Sequence, residues 1–290
     1  MQTTPRILVT GAGGYIGRHV VSALDGCATV LPAVVDGQRA DLLDAGQRRQ
    51  MIEALKPDLL VHLAWVTDHG AFWSSPMNEA WLNASKDLFN LFYANGGRLA
   101  LATGSCAEYD WTTGADRFRE DAPLAPHTAY GAAKVEAAEA LAKTADDNGG
   151  EWAWGRVFFS FGVGEPEKRL ISAMLRAVHA REDIGIGPSE TVRDFWPVET
   201  LGASIAALAL SNVSGPVNLG AGRGTRYADL AALIEEIAGT RGLIKPDSRS
   251  LGPGEPRVLV PDVTNLVEDV GFRDQSDLKS ALTRYYLALD

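Results

Sequence analysis

The chain has 290 residues, 46% of them hydrophobic and 22% charged, enough to bury a large core in one large domain or two small ones. Its net charge of −10 argues against a nucleic-acid surface, and no run of about 18 apolar residues marks a membrane span. Cys27 and Cys106 form no CxxC pair, and with five histidines neither a disulfide framework nor a metal-ligand cluster is predicted. The first strand begins almost at the N-terminus, which leaves no room for a signal peptide, so a cytoplasmic location is expected.

Ile7-Leu8-Val9 reads as a buried parallel strand, and Ile16, Val20 and Leu24 are apolar at helical spacing. Between them lies Thr10-Gly11-Ala12-Gly13-Gly14-Tyr15-Ile16-Gly17. Gly11 allows a sharp turn off the strand, Gly14 has no side chain to block a pyrophosphate, and Gly17 allows close helix packing. The helix start then offers free N–H groups and its positive end to phosphates. Ala28 to Val35 reads as a second strand, imperfect because of Pro32. Asp36 follows about twenty residues beyond the glycine turn, where an acid bonds a ribose hydroxyl and favours NAD. Arg39 is placed to face a 2′-phosphate instead, so the cofactor stays open as NADPH or NADH.

Asp41-Leu42 next to a loop precedes a helix through Met51, Ile52 and Leu55, and then the strand Leu59 to Ala64. His62 within it is expected to be a core histidine. The loop from Trp65 to Met77 carries Trp65, Asp68, His69, Phe72, Trp73 and Pro76, aromatics of the kind that line clefts. A helix over 78–95 leads to the strand Leu99 to Ala102, which ends in Thr103-Gly104-Ser105. Polar groups at the carboxyl end of a parallel strand sit where such sheets bind ligands, which singles out Ser105. Tyr130 and Lys134 open the next helix and, four residues apart, share a face. An ammonium near the phenol is expected to lower its pKa and ready it for proton transfer.

The glycine spacing together with Ser105, Tyr130 and Lys134 resembles the short-chain dehydrogenase/reductase superfamily, extended branch, over most of the chain. The resemblance implies a doubly wound parallel Rossmann-type α/β sheet with a smaller, interleaved C-terminal substrate domain. It implies a cofactor site of Gly11, Gly14, Tyr15, Ile16, Gly17, Asp36, Arg39, Asp41, Leu42, Leu63, Ala64, Trp65, Thr103, Tyr130 and Lys134. Asp41-Leu42 looks toward the adenine, and Leu63-Ala64-Trp65 lies along the cofactor. Ser105, Tyr130 and Lys134 are the expected catalytic residues, with Thr103 and Asn83 in support.

Thr191 to Val198 is similar to the Arg-Asp-Phe/Tyr-x-x-Val segment of members acting on nucleotide-diphosphate sugars, which assigns Arg193 to the substrate diphosphate. A planar guanidinium suits paired phosphate oxygens. Ser105, Glu108, Phe159, Arg169 and Arg257 complete the implied substrate set. Where relatives carry an arginine before Pro-Gly-Asp, this chain has Gly252-Pro253-Gly254-Glu255, leaving that contact missing or supplied by Arg249 or Arg257. Cys106-Ala107 after Ser105 replaces the acidic pair of the dehydratases.

The expected layout is a dinucleotide domain over 1–160, rejoined by 193–220, and a substrate domain over 161–192 and 221–290. The expected activity is reduction of a ring keto group on a nucleotide-linked 4-keto-6-deoxy sugar. A 4-epimerase is the alternative, and a non-catalytic dinucleotide sensor the second. A homodimer is expected through the helices beginning near Asn78 and Tyr130, without nucleic-acid or membrane partners.

Overall fold

A computed structural model describes residues 4–66, 70–247, 251 and 254–289. Asp68, His69, Arg249, Gly252 and Pro253, named above, lie outside the described residues. In chain order the first part comprises β1 (Arg6–Thr10), α1 (Gly17–Leu24), β2 (Thr29–Leu31), β3 (Val34–Val35), β4 (Gln38–Arg39), α2 (Ala45–Leu55), β5 (Leu59–His62), α3 (Met77–Ala94), β6 (Leu99–Ser105), α4 (Ala129–Asn148) and β7 (Glu151–Val157). The second comprises β8 (Phe159–Phe161), α5 (Leu170–Ala180), β9 (Ile184–Gly185), β10 (Val192–Pro197), α6 (Val198–Leu210), β11 (Gly215–Leu219), β12 (Gly224–Arg226), α7 (Tyr227–Ala238), β13 (Ile244–Lys245), β14 (Val258–Leu259), α8 (Thr264–Glu268) and α9 (Leu278–Leu287).

Six parallel strands form the main sheet in the order β11-β7-β6-β5-β1-β2. Their apolar runs are buried because helices cover both faces. One face packs Val20 and Leu24 of α1 and Leu201, Ile205 and Leu208 of α6 against Ile7, Val9, Val61 and Leu101. The other packs Met51, Leu88, Phe92 and Leu141, from α2, α3 and α4, against Leu8, Leu60 and Ala100. The chain leaves β1 to one side for β2 and returns on the other side for β5, so the crevice at the carboxyl ends opens between β1 and β5.

The turn after β1 fits that crevice closely. Gly11 has φ +74° and its missing Cβ would lie 3.0 Å from the Ala64 backbone nitrogen, at the end of β5. A Cβ at Gly17 would overlap the Gly11 carbonyl oxygen. The sequence therefore needs glycine at both places for close approach, and α1 begins there without a side-chain cap.

The second strand departs from expectation. Pro32, which lacks an N–H, stops the β2 ladder at Leu31. Asp36 and Gly37 then form the two-residue turn of the β3–β4 hairpin, with φ of 50° and 77°, the conformation that Asp-Gly favours. Asp36 is not at the end of β2, and its carboxylate accepts a bond from Gln50 Nε2 at 3.2 Å. Arg39 pairs with Val34 on the exposed return strand.

A smaller sheet runs β12-β10-β14, with β8 pairing along Phe195–Pro197 of β10. The stretch 193–220 is thus shared: β10 lies in this sheet, while α6 packs on α1 and β11 edges the main sheet. Helices α5, α7 and α9 close a separate core around Phe161 and Phe195. No helix among the described residues is long and apolar enough to cross a membrane.

Candidate active site

β6 continues through Thr103 and Gly104 and ends at Ser105, whose hydroxyl caps the following 3-10 turn by accepting from the Ala107 N–H at 3.2 Å. On the far side, Thr128 caps α4 by accepting from the Gly131 N–H at 3.0 Å. A side chain at Gly131 would collide with the Ala107 carbonyl, so the glycine lets the start of α4 lie directly on the turn after Ser105. This contact sets Tyr130 beside Ser105, whose hydroxyl acts to lower the phenol's pKa. Lys134, one helical turn on and buried, donates to the Thr103 carbonyl oxygen at 2.8 Å.

Ser105, Tyr130, Lys134 and Thr103 are therefore brought together, as the motif implied. Their electrostatics differ from expectation. The Lys134 ammonium does not lower the tyrosine: its nitrogen lies 3.8 Å from the Trp65 ring centre and 5.8 Å from that of Tyr130. Burial and the negative charge of Glu108 hold the Tyr130 phenol above its ordinary pKa, opposed by the neighbouring Ser105 and the charge of Arg169. Burial pushes Lys134 itself down to about 7, with Glu108 acting the other way. Helical spacing gives no sign of Trp65, which occupies the open side of the ammonium.

Aromatic rings surround Tyr130. Phe72 and Trp73 meet it edge-to-face at 4.9 and 5.7 Å, and Trp65 does so at 6.5 Å. The Tyr130 N–H also donates to the Trp73 carbonyl oxygen at 3.1 Å. Behind these rings Asn78 donates to the Phe72 and Ser75 carbonyl oxygens at 2.7 and 3.0 Å and accepts from Trp65 Nε1 at 2.9 Å. Asn78, buried at the start of α3, is the asparagine that braces this aromatic wall and was not singled out in the sequence, whereas Asn83 faces solvent. Its signal was position, in the first turn of a helix directly after an aromatic loop.

Of the remaining cofactor candidates, Leu63 and Ala64 abut Gly11, and Ile16 precedes α1. The Tyr15 ring lies between the Arg18 and Arg169 guanidiniums, 5.7 and 5.8 Å away. Asp41 is occupied locally, accepting from the Leu43 N–H at 2.9 Å, while Leu42 is buried and its carbonyl accepts from Arg48.

Glu108 is not open to a ligand. It is fully buried and paired with Arg156 at 2.8 Å, and it also accepts from the Ser105 N–H at 2.7 Å and from Trp154 Nε1 at 3.1 Å. Arg257 points away, its exposed side chain 3.8 Å from Glu190. Arg193 is fully buried and held by Glu255 at 2.6 Å and by the carbonyl oxygens of Val192 and Arg257. Its guanidinium lies 5.6 Å over Phe159 and 6.0 Å from Tyr227, and its buried Nε has no hydrogen-bond partner among the described residues. Asp194 accepts from the Ala221 and Arg223 N–H groups, tying β10 to the turn after β11. Beyond Glu255 opens a cavity of about 600 Å³, lined by Lys168, Leu170, Ile184, Tyr227, Asp247 and Glu255.

His62 sits among these elements as a structural residue, bonded to Thr10 Oγ1 at 2.7 Å and Ser85 Oγ at 2.9 Å. Burial, aided by Lys134, lowers it to about 3. The unfolded chain therefore binds a proton below about 6.5 that the folded chain refuses down to about 3. Stability is expected to fall as pH drops through that window. His62→Gln should flatten the fall in urea unfolding measured at stepped pH.

A glycine turn at the switch point of a doubly wound parallel sheet, with a serine, tyrosine and lysine gathered at the end of the neighbouring strands, defines an extended short-chain dehydrogenase/reductase. The chain belongs to the NAD dependent epimerase/dehydratase family, whose model matches residues 7–220. It is 25% identical over 308 residues to UDP-glucuronic acid decarboxylase 1 of Xenopus tropicalis, covering 96% of this chain and 70% of the relative. It is 27% identical over 274 residues to dTDP-4-keto-6-deoxy-D-glucose reductase of Streptomyces niveus, covering 88% and 86%. Its fold is similar to that of RMD from Pseudomonas aeruginosa complexed with NADPH, with a TM-score of 0.87 at 22% identity over 98% of this chain and 97% of the other.

Proposed function

We propose that this chain uses NADPH or NADH to reduce a ring keto group of a nucleotide-diphosphate-linked 4-keto-6-deoxy sugar. The observation that carries the reading is the aromatic enclosure of Tyr130. Phe72, Trp73 and Trp65 surround the proposed proton donor with apolar surface. Such a wall suits a sugar carrying a methyl group at C6 and disfavours a carboxylate, which would lose hydration there without a partner. Glu108, the carboxyl nearest Ser105, is committed to Arg156, which argues for reduction over elimination of water.

The residues fit a dinucleotide. Gly11 and Gly17 let the turn after β1 close tightly against the Leu63–Ala64 backbone and α1, and the uncapped start of α1 there suits a pyrophosphate. The bound cofactor would supply the hydride. Tyr130 gives its phenolic proton to the keto oxygen, Ser105 bonds that oxygen and orients it, and Lys134, held at the end of β6 by the Thr103 carbonyl, would bond the nicotinamide ribose. The cavity beyond Glu255, with Lys168 in its lining, would seat the nucleoside diphosphate, while Arg193, buried behind it, holds Glu255 in place.

The test is a panel of nucleotide-linked sugars offered to the purified chain with each reduced cofactor. A 4-keto-6-deoxy member should be consumed and a nucleotide-linked uronate left unchanged; turnover of the uronate alone would overturn the reading.

A further inference from the structure

We propose that Trp65 is a positioning residue for the Tyr130–Lys134 pair, its indole face seating the Lys134 ammonium and holding it between the end of β6 and the phenol. The inference rests on the reading of Tyr130 and Lys134 given above.

The Lys134 ammonium carries three N–H groups, and its hydrogen bond to the protein is to the Thr103 carbonyl oxygen. With the residue only 5% exposed, water does not cover the rest. The Trp65 face does, its centre 3.8 Å from the nitrogen and well within the ~6 Å range over which an aromatic quadrupole attracts a cation. The indole is fixed in place. Its Nε1 donates to Asn78, which is itself locked by two backbone carbonyls, and the ring stacks on Trp81 at 6.5 Å with an interplanar angle of 30°. Tyr130 meets the same ring edge-on, so one residue contacts both members of the pair.

The consequence is electrostatic. Burial brings Lys134 down to about 7, where charged and neutral forms are comparable at neutral pH, so each favourable contact decides how much of it is charged. The charged and titratable groups around it are Glu108 from the turn after β6, which favours the ammonium, the neutral His62 of β5, and Tyr130 one turn earlier on α4. Without the indole face, the ammonium keeps the Thr103 carbonyl as its one acceptor among the described residues, in an apolar recess, and the charged form loses ground.

Cofactor-free protein labelled with 13Cε-lysine allows Lys134 to be titrated by NMR, with Lys134→Met identifying its signal. In Trp65→Met, which fills similar space without a ring, the midpoint should fall by about one pH unit. Trp65→Phe should restore most of it. If Trp65→Met does not fold, as a thermal melt would show, biosynthetic replacement of tryptophan by difluorotryptophan keeps the shape and weakens the ring face, and should move the midpoint in the same direction. The alkaline limb of ketosugar turnover should move down with the titration and return in Trp65→Phe. A folded Trp65→Met or difluorinated protein in which Lys134 titrates as in the parent overturns the proposal. A midpoint that moves in a protein reducing no ketosugar retains the seat and overturns the proposed reaction instead.

Discussion

Tyr130→Phe is expected to lower ketosugar turnover by about 10²- to 10⁴-fold, the usual contribution of a positioned proton donor, while cofactor affinity stays nearly constant. The substitution is clean because the ring remains. A phenylalanine ring in that place would keep the edge-to-face contacts with Phe72 at 4.9 Å and Trp73 at 5.7 Å, and the backbone bond to the Trp73 carbonyl involves no side-chain atom. Only the hydroxyl and its interaction with Ser105 are lost. The keto oxygen then gains negative charge during hydride arrival with no proton to receive. Steady-state kinetics with a cofactor-binding titration measure both quantities. Turnover within a few-fold of the parent would remove Tyr130 from the chemistry and, with unchanged cofactor binding, favour a non-catalytic dinucleotide sensor.

Glu108→Ala is expected to destabilise the fold by about 3–5 kcal/mol, because it strands a buried arginine. The Arg156 side chain is 5% exposed, and its Nε–Glu108 pair at 2.8 Å is its ionic contact in the interior. The same carboxylate holds the Ser105 N–H and the Trp154 indole N–H, so its removal leaves three donors short of an acceptor. Tyr109 and the Glu120 carbonyl, which Arg156 Nη1 also contacts, are neutral and do not replace the charge. Glu108→Gln keeps an oxygen and the side-chain shape and should lose less. Urea unfolding of the three proteins provides the comparison. If Glu108→Ala raised the KM for sugar nucleotide and left unfolding unchanged, Glu108 would be a substrate ligand, contrary to its burial here.

The parts of the site that were legible in the sequence are those carried by local spacing. The β1 turn needs glycine at Gly11 and Gly17 for contacts within the turn and with the adjacent strand, and Tyr130 and Lys134 share a face because four residues make one helical turn. The parts that were not legible depend on partners far along the chain. Glu108 looks like a cleft acid until Arg156 of β7 is placed against it, and Arg193 is anchored by Glu255, 62 residues later. Asp36 misled for a local reason: Pro32 ends β2 early, and the Asp-Gly pair then makes a hairpin turn. Trp65 was placed beside the cofactor, but its contact with Lys134 joins the end of β5 to α4, which no periodicity encodes. Arg257 shows the same limit, since a basic residue near a substrate loop has no direction until its strand is placed.

The central claim is a net reduction, and the most direct measurement follows the hydride. Purified protein is incubated with a nucleotide-linked 4-keto-6-deoxy sugar and NADPH or NADH deuterated at nicotinamide C4 on each face in turn, and product and cofactor are analysed by mass spectrometry and NMR. The account predicts one cofactor oxidised per sugar reduced, with deuterium from one face fixed at the former keto carbon. Cofactor retained as NAD without net consumption, no deuterium in the sugar, and interconversion of two nucleotide-linked hexoses differing at C4 would contradict it and identify an epimerase.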